Sequence, residues 1–468
     1  MQTAVLQEIV PNGLTYGIDD RRTVSERGIP VEVRYKTPLD KSWKEVWYGR
    51  RNHGGNIFNR SGVWRHREAL NFLGIDTENY ENCAANLVSL DGAEGANSGP
   101  FHLSRSAQYA GLPSDDVVFL YEGNNPSGSF KDRGTVVAAT DGRRHGTERY
   151  IVASTGNTAA SMAAVIANEK SGGRYSQNVE LIVLIPRGRV AAEKLLQAQA
   201  YRAKIIQVDG DFDATLELSR KLREADPALY PVNSYNPFRV EGQKTETFTI
   251  IEHLRYQVPD WIITPGGNLG STAAIHKALL DLREWGWISK VPRIAVVNAA
   301  SANTLELLYN REGLRWNNGD FNVHLITEFY SQLRDERARH PRRTHMSAID
   351  IHYPAEENMI KTLRALEDTN GVVTSVTDIE AWDAKRTIDS NGLFMVDLAS
   401  AAALAGLKKL VRIGEVEHGQ SVAVRLTGRD KDPALSARYY GDENKQYSNR
   451  PIELPNDLGA VRNFIYNQ

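Results

Sequence analysis

Cysteine is almost missing from this sequence: Cys83 is the only one among 468 residues. A lone thiol cannot close an internal disulfide, and no Cys/His spacing suits zinc, so no metal site is expected. Such usage fits a reducing, cytoplasmic setting. An excess of charge of one sign is lacking too. The 56 Lys and Arg against 58 Asp and Glu leave a net charge of −2. The basic footprint of nucleic-acid binders is therefore absent, and no nucleic-acid partner is expected. No apolar run approaches the roughly 18–20 residues that span a bilayer, so no membrane partner is expected either. The opening MQTAVLQEIVPNGLTYGIDD lacks a basic segment followed by an apolar core and does not read as a signal peptide.

What is present suits a soluble globular protein. Hydrophobic residues make up 41 % and charged residues 24 %, and the length accommodates two or three domains. Residues 1–60 are polar with scattered aromatics and show no clear period; they read as an N-terminal extension that packs on the body. From Val117 onward short Val- and Ile-rich runs alternate with helical patterns. The runs are VVFLY (117–121), YIVAS (150–154), ELIVLIP (180–186), AKIIQV (203–208), WIITP (261–265), RIAVVNA (293–299) and SVAVRLTG (421–428). Runs apolar on both faces suit buried parallel strands, and strand–helix alternation predicts an α/β fold with mostly parallel sheets. The tail after Asp432 is polar and Pro-bearing and reads as a surface wrap.

Five segments carry candidate chemistry. In NPSGSFKDRG (125–134), Lys131 follows a small-residue turn where a helix can begin. Phe130 beside it can shield the amine, and desolvation turns a lysine into a usable nucleophile or base. ASTGNTAAS (153–161) and PGGNLGST (265–272) each place small residues after a strand and before a helix, an arrangement that suits anions. Ser154 or Thr155 is the expected helix cap in the first. No lysine follows the second, so it is not a Walker loop. NSYNPFRVEGQKT (233–245) offers Arg239, whose fork matches phosphate oxygens. LTGRDKDP (426–433) follows the last apolar run.

Together, in this order, these segments resemble those of the threonine synthases, within the fold-type II family of enzymes that use pyridoxal 5'-phosphate (PLP). The likeness runs over about residues 61–432 and includes SGVWRHRE (61–68). It implies two open α/β domains with PLP in the cleft between them: 61–124 with 233–468 as the larger, 125–232 as the smaller, substrate-gating one. Lys131 would carry PLP and act as base. Asn157 would bond the ring oxygen, and the Gly266, Gly267, Asn268, Leu269, Gly270 and Ser271 loop would hold the cofactor phosphate. Thr427 would face the ring nitrogen. Ser154, Thr155, Asn157 and Thr158 would bind the substrate carboxylate, with Thr158 also facing the reacting carbons. Asn233, Ser234 and Arg239 would take the substrate's leaving phosphate.

The implied reaction converts O-phospho-L-homoserine and water to L-threonine and phosphate, in a small-molecule enzyme acting as a homodimer. Three departures stand beside it: Ser271 where the family usually has Asn, an expanded GAEGANSGPFHL (92–103), and Arg429 and Asp430 in a shortened loop where the family reads T-G-H-G-L-K-D-P. They keep a second reading open, a specialised relative performing β- or γ-replacement on another phosphorylated amino acid.

Overall fold

All seven Val- and Ile-rich runs contribute strands. A computed structural model describes residues 3–53, 57–73, 100–154, 156–173, 176–187, 192–210, 212–340, 343–442 and 449–466. Cys83 and most of the 92–103 segment lie outside them. The strands are β1 (Ala4–Glu8), β2 (Thr15–Gly17), β3 (Val31–Tyr35), β4 (Val117–Tyr121), β5 (Arg149–Ala153), β6 (Glu180–Pro186), β7 (Lys204–Val208), β8 (Leu229–Pro231), β9 (Trp261–Pro265), β10 (Arg293–Ala299), β11 (Val372–Val376) and β12 (Val422–Leu426). A five-stranded sheet has the order β11-β10-β9-β12-β4 and a four-stranded sheet β7-β6-β5-β8. Every pairing in both is parallel. In β12, Val424 lies opposite Phe119 on one side and Ile263 on the other, so one apolar side chain joins three strands. The expected α/β fold with mostly parallel sheets is the one found.

Three expectations need revision. Residues 1–60 are not featureless: β2-β1-β3 form an antiparallel sheet, and Ala4, Leu6, Val31 and Val33 enter the core. β7 is not buried on both faces; it is an edge strand, and Ile206 is 40 % exposed. The tail holds two helices, Pro433–Tyr440 and Leu458–Tyr466. Met1–Asp430 makes one compact unit and Lys431–Gln468 another; every site residue described below belongs to the first.

Four helices start where strands end. The Asn157–Ser171 helix follows β5, Pro237–His253 follows β8, and Gly270–Glu284 follows β9, while Lys131–Arg144 follows β4 after a turn. Asn236 caps the second of these, its side chain accepting from Phe238 N, with Pro237 at the first position where no N–H is needed. Helices Lys131–Arg144 and Pro237–His253 cross at glycines. A Cβ on Gly242 would lie 2.1 Å from the Arg133 carbonyl oxygen, and one on Gly134 2.9 Å from that of Arg239. Only hydrogen fits at that crossing, and it sets the first turn of one helix, with Lys131, against the first turn of the other, with Arg239.

Candidate active site

Lys131 is the first residue of its helix, and Asp132 in the same turn complements the positive helix end. The turn before it is tied down. Gly128 takes φ +84, a left-handed conformation that suits glycine. Ser127 N donates to Asp132 Oδ2 at 2.8 Å. Phe130 N donates to the Thr427 carbonyl at 3.1 Å, and Arg429 N to the Gly128 carbonyl at 3.0 Å. The end of β12 therefore clamps the lysine turn. Lys131 Nζ lies 3.8 Å from the centre of the Phe130 ring, with Arg425 over the same ring at 5.3 Å. Burial first, then the positive charges of Arg239 and Arg425, push the lysine down to about 7. The amine is thus about half neutral at physiological pH.

After β5 the N-cap of the next helix is Gly156 rather than the expected Ser154 or Thr155; Ser154 Oγ, two residues earlier, accepts from Gly156 N and Ala159 N, each at 3.3 Å. Asn157 and Thr158 are the first two residues of that helix, both partly exposed. Thr155 lies outside the described residues. Asn233, after β8, spans the end of β5: Nδ2 donates to Ala153 O at 2.8 Å and Oδ1 accepts from Ala153 N at 3.0 Å. It braces the loop that holds Ser154.

The PGGNLGST loop is shaped by close approach. A Cβ on Gly266 would meet Val296 Cγ1 at 2.4 Å, and one on Gly270 would meet Ser234 Cβ at 2.5 Å. Gly267 faces the Ala348 carbonyl, 2.9 Å from where its Cβ would be. Leu269 takes φ +62, strained for a branched residue, and ends the loop as the helix begins at Gly270. Asn268 Nδ2 donates to Ser234 Oγ at 2.9 Å. Ser271 is partly exposed on the first turn. The loop's N–H groups stand at a helix N-terminus, where an anion is favoured.

At the end of β12, Thr427 Oγ1 lies 3.1 Å from Ser400 Oγ. Ser400 in turn accepts from Gly428 N at 2.8 Å and stands on the helix capped by Asp397. The shortened loop is well held: Val396 pairs with Arg429, Asp430 N donates to Met395 O, and Lys385 reaches Asp430 at 3.2 Å.

Arg239 is 1 % exposed. One nitrogen, Nη1, donates to the Val232 carbonyl at 2.7 Å. Nε and Nη2 are buried with no hydrogen-bond partner among the described residues. Burial alone pushes the guanidinium down to about 10, and no neighbouring carboxylate counters it; it remains charged at neutral pH. Buried donors are nearly always satisfied, so two open ones on a cation point to an anion that binds there.

Four residues that matter here had no motif to reveal them. Glu246 pairs with Arg425, Nε to Oε1 at 2.7 Å plus a second short contact, and Arg425 Nη1 also reaches Thr264 Oγ1 at 2.6 Å. Asn358, fully buried on the Glu356–Asp368 helix, donates to both Ser234 Oγ and the Asn268 carbonyl. Ser400 supports Thr427. Their partners lie far away in sequence, and no local spacing marks them. The SGVWRHRE segment proves to be a brace: Gly62 O accepts from Arg133 at 2.7 Å and Arg65 pairs with Glu252 at 3.1 Å.

Residues 99–428 match the family model described as pyridoxal-phosphate dependent enzyme. The chain belongs to that family. It is 32 % identical over 464 residues to a threonine synthase of Methanocaldococcus jannaschii, covering 98 % of this chain and 99 % of that one. It is 37 % identical over 317 residues to a threonine synthase of Mycobacterium tuberculosis, covering 67 % of this chain and 77 % of the relative. Among solved structures, threonine synthase from Escherichia coli superposes with a TM-score of 0.60 over 95 % of each chain at 16 % identity, a likeness of fold. No helix among the described residues is long and apolar enough to cross a membrane.

Proposed function

We propose that this chain is a threonine synthase, converting O-phospho-L-homoserine and water to L-threonine and phosphate with PLP held on Lys131. The observation that carries the reading is Arg239: a buried cation with, among the described residues, two open donors and no carboxylate beside it. A substrate whose distal group is a phosphate supplies what that fork lacks.

The residues present also fit the cofactor. The Lys131 amine is shielded by Phe130 and brought down to about 7. The Gly266–Ser271 loop would turn its N–H groups to the cofactor phosphate at the start of the Gly270–Glu284 helix. Thr427, backed by Ser400, offers a neutral hydroxyl for the ring nitrogen. Asn157 would meet the ring oxygen.

PLP, when bound, draws electrons from the substrate's α-carbon and so makes nearby protons labile. The protein's own groups do the rest. Ser154, Thr155, Asn157 and Thr158 hold the carboxylate at the helix start. Lys131 Nζ, in its neutral form, would take the α-proton and then serve the β-carbon. Arg239 and Ser234 stabilise the charge that develops as the γ-phosphate leaves. Asn233 supports them from the end of β5. Thr158 orients the water that adds at the β-carbon.

Residues 61–124 with 233–468, and residues 125–232, would act as two domains that close over the substrate and exclude stray water. Residues 1–60 would be a separate N-terminal extension. The working form would be a cytoplasmic homodimer. The secure pairing of Arg429 and Asp430 supports the threonine synthase reading over a rebuilt specificity, because the altered loop still presents Thr427.

The test is product analysis with PLP-loaded protein and O-phospho-L-homoserine, O-phospho-L-serine being offered in parallel. Equimolar phosphate and threonine are expected from the first substrate. Release of neither product would reject the assignment.

A further inference from the structure

Ser234 is held in a way that decides what it can recognise. Its Oγ receives two N–H bonds, from Asn268 Nδ2 and from Asn358 Nδ2, each at 2.9 Å. The direction of both amides is fixed by partners with a single role. Asn268 Oδ1 accepts from the Ala355 backbone N–H at 2.8 Å, so its nitrogen must face Ser234. Asn358 Nδ2 gives its other hydrogen to the Asn268 carbonyl at 2.8 Å, which can only accept. A hydroxyl has two lone pairs and one hydrogen. Both lone pairs of Ser234 are engaged, and only the hydrogen remains.

We infer that Asn358 and Asn268 make Ser234 an obligate donor, and that Asn358 is a positioning residue for recognition of the substrate's phosphate. The inference rests on the proposed threonine synthase reading for the identity of that phosphate. Its chemical content is narrower: an oxygen that only accepts, such as that of a phosphate, is favoured beside Ser234, and a group that must donate is refused. Asn358 also joins two anion sites. The carbonyl it binds belongs to the PGGNLGST loop, and the hydroxyl it orients follows β8. A Cβ on Gly270 would strike Ser234 at 2.5 Å, so loop and serine are in direct contact. Order in one is passed to the other by two hydrogen bonds from a single buried amide.

Three variants test this: Ser234→Ala, Asn358→Ala and Asn358→Asp, together with the double variant Ser234→Ala/Asn358→Ala. PLP-loaded proteins are titrated with inorganic phosphate by cofactor fluorescence, and KM and kcat are measured with O-phospho-L-homoserine. Ser234→Ala is expected to weaken phosphate binding about tenfold, the loss of one hydrogen bond to a charged group. Asn358→Asp should match or exceed this, because its carboxylate takes the Ser234 hydrogen away from the ligand. That variant keeps the side chain's shape, but its carboxylate also faces the Asn268 carbonyl, so the fold of each variant is checked by denaturant unfolding and binding is compared in the folded fraction. The double variant should bind phosphate about as weakly as Ser234→Ala alone, since one residue acts through the other.

Losses that multiply in the double variant, or Asn358→Asp binding phosphate like the wild type, would overturn the inference. If the wild type turns over no O-phospho-L-homoserine, the functional reading fails by itself. The phosphate titration would still decide the role of Asn358.

Discussion

Arg425 and Arg239 are both buried to within 1 % of complete, and both touch the surroundings of Lys131, yet they are treated in opposite ways. Arg425 has a carboxylate, Glu246, and a hydroxyl, Thr264, across its whole fork. Arg133 is similar, with both oxygens of Glu122 at 2.8 Å. Among the described residues, Arg239 has one backbone carbonyl as partner and two open donors. A fully paired buried cation is part of the scaffold. One left open keeps its binding capacity for a ligand. Exposure and residue type alone would not separate them; the partners do.

The largest consequence lies with the paired arginine. Replacing Arg425 by Met leaves Glu246 as a buried, unpaired carboxylate, and denaturant unfolding should show a loss of about 3–5 kcal/mol. Removing Glu246 as well, as in Arg425→Met/Glu246→Leu, should restore much of it. An equal loss in the double variant would mean that packing, not the orphaned charge, dominates.

The crossing that brings Lys131 and Arg239 together comes next. Gly242→Ala must push the two helices apart, at a cost of about 1–3 kcal/mol. Phosphate release should fall with it, because both proposed site residues, Lys131 and Arg239, ride on those helices. Unchanged turnover would show that their spacing is not set there.

The third effect concerns charge. Arg239 helps hold Lys131 down to about 7. A depressed amine is neutral above that pH and protonated below it. In cofactor-free protein the rate of PLP capture should therefore fall about tenfold for each pH unit below the transition and level off above it. Removing the Arg239 charge relieves the amine, so in Arg239→Met the whole profile should move to higher pH. A profile that stays in place would remove Arg239 from the neighbourhood of Lys131.

The sequence makes some of this visible and hides the rest for physical reasons. Lys131, the PGGNLGST loop and Thr427 stand out as candidates because each lies in a contiguous segment, a turn, a run of glycines or a strand end, that resembles one of the family's. The VEGQKTETFT stretch is polar in sequence, but it is the body of the Pro237–His253 helix, which is buried from Pro237 to Glu252. Beside the local Glu241–Lys244 pair, the charges of this helix meet distant residues: Glu246 meets Arg425, Lys244 meets Asp281 and Glu252 meets Arg65. No periodicity within the stretch can announce partners tens to hundreds of residues away. β1 and β3 are missed for a related reason: they are short, and pair with each other across an intervening loop and β2. Asn358 has no motif at all; its role exists only once Ser234 and Asn268 are folded beside it.

The most direct measurement is made on a single preparation of PLP-loaded Arg239→Met, read for both unfolding free energy and phosphate release from O-phospho-L-homoserine. An arginine kept open for substrate predicts stability at or slightly above that of the wild type, with kcat lower by about 10²- to 10³-fold, as for loss of a donor to developing negative charge. A stability loss as large as that of Arg425→Met, with kcat intact in the folded fraction, would contradict it and make Arg239 one more structural cation.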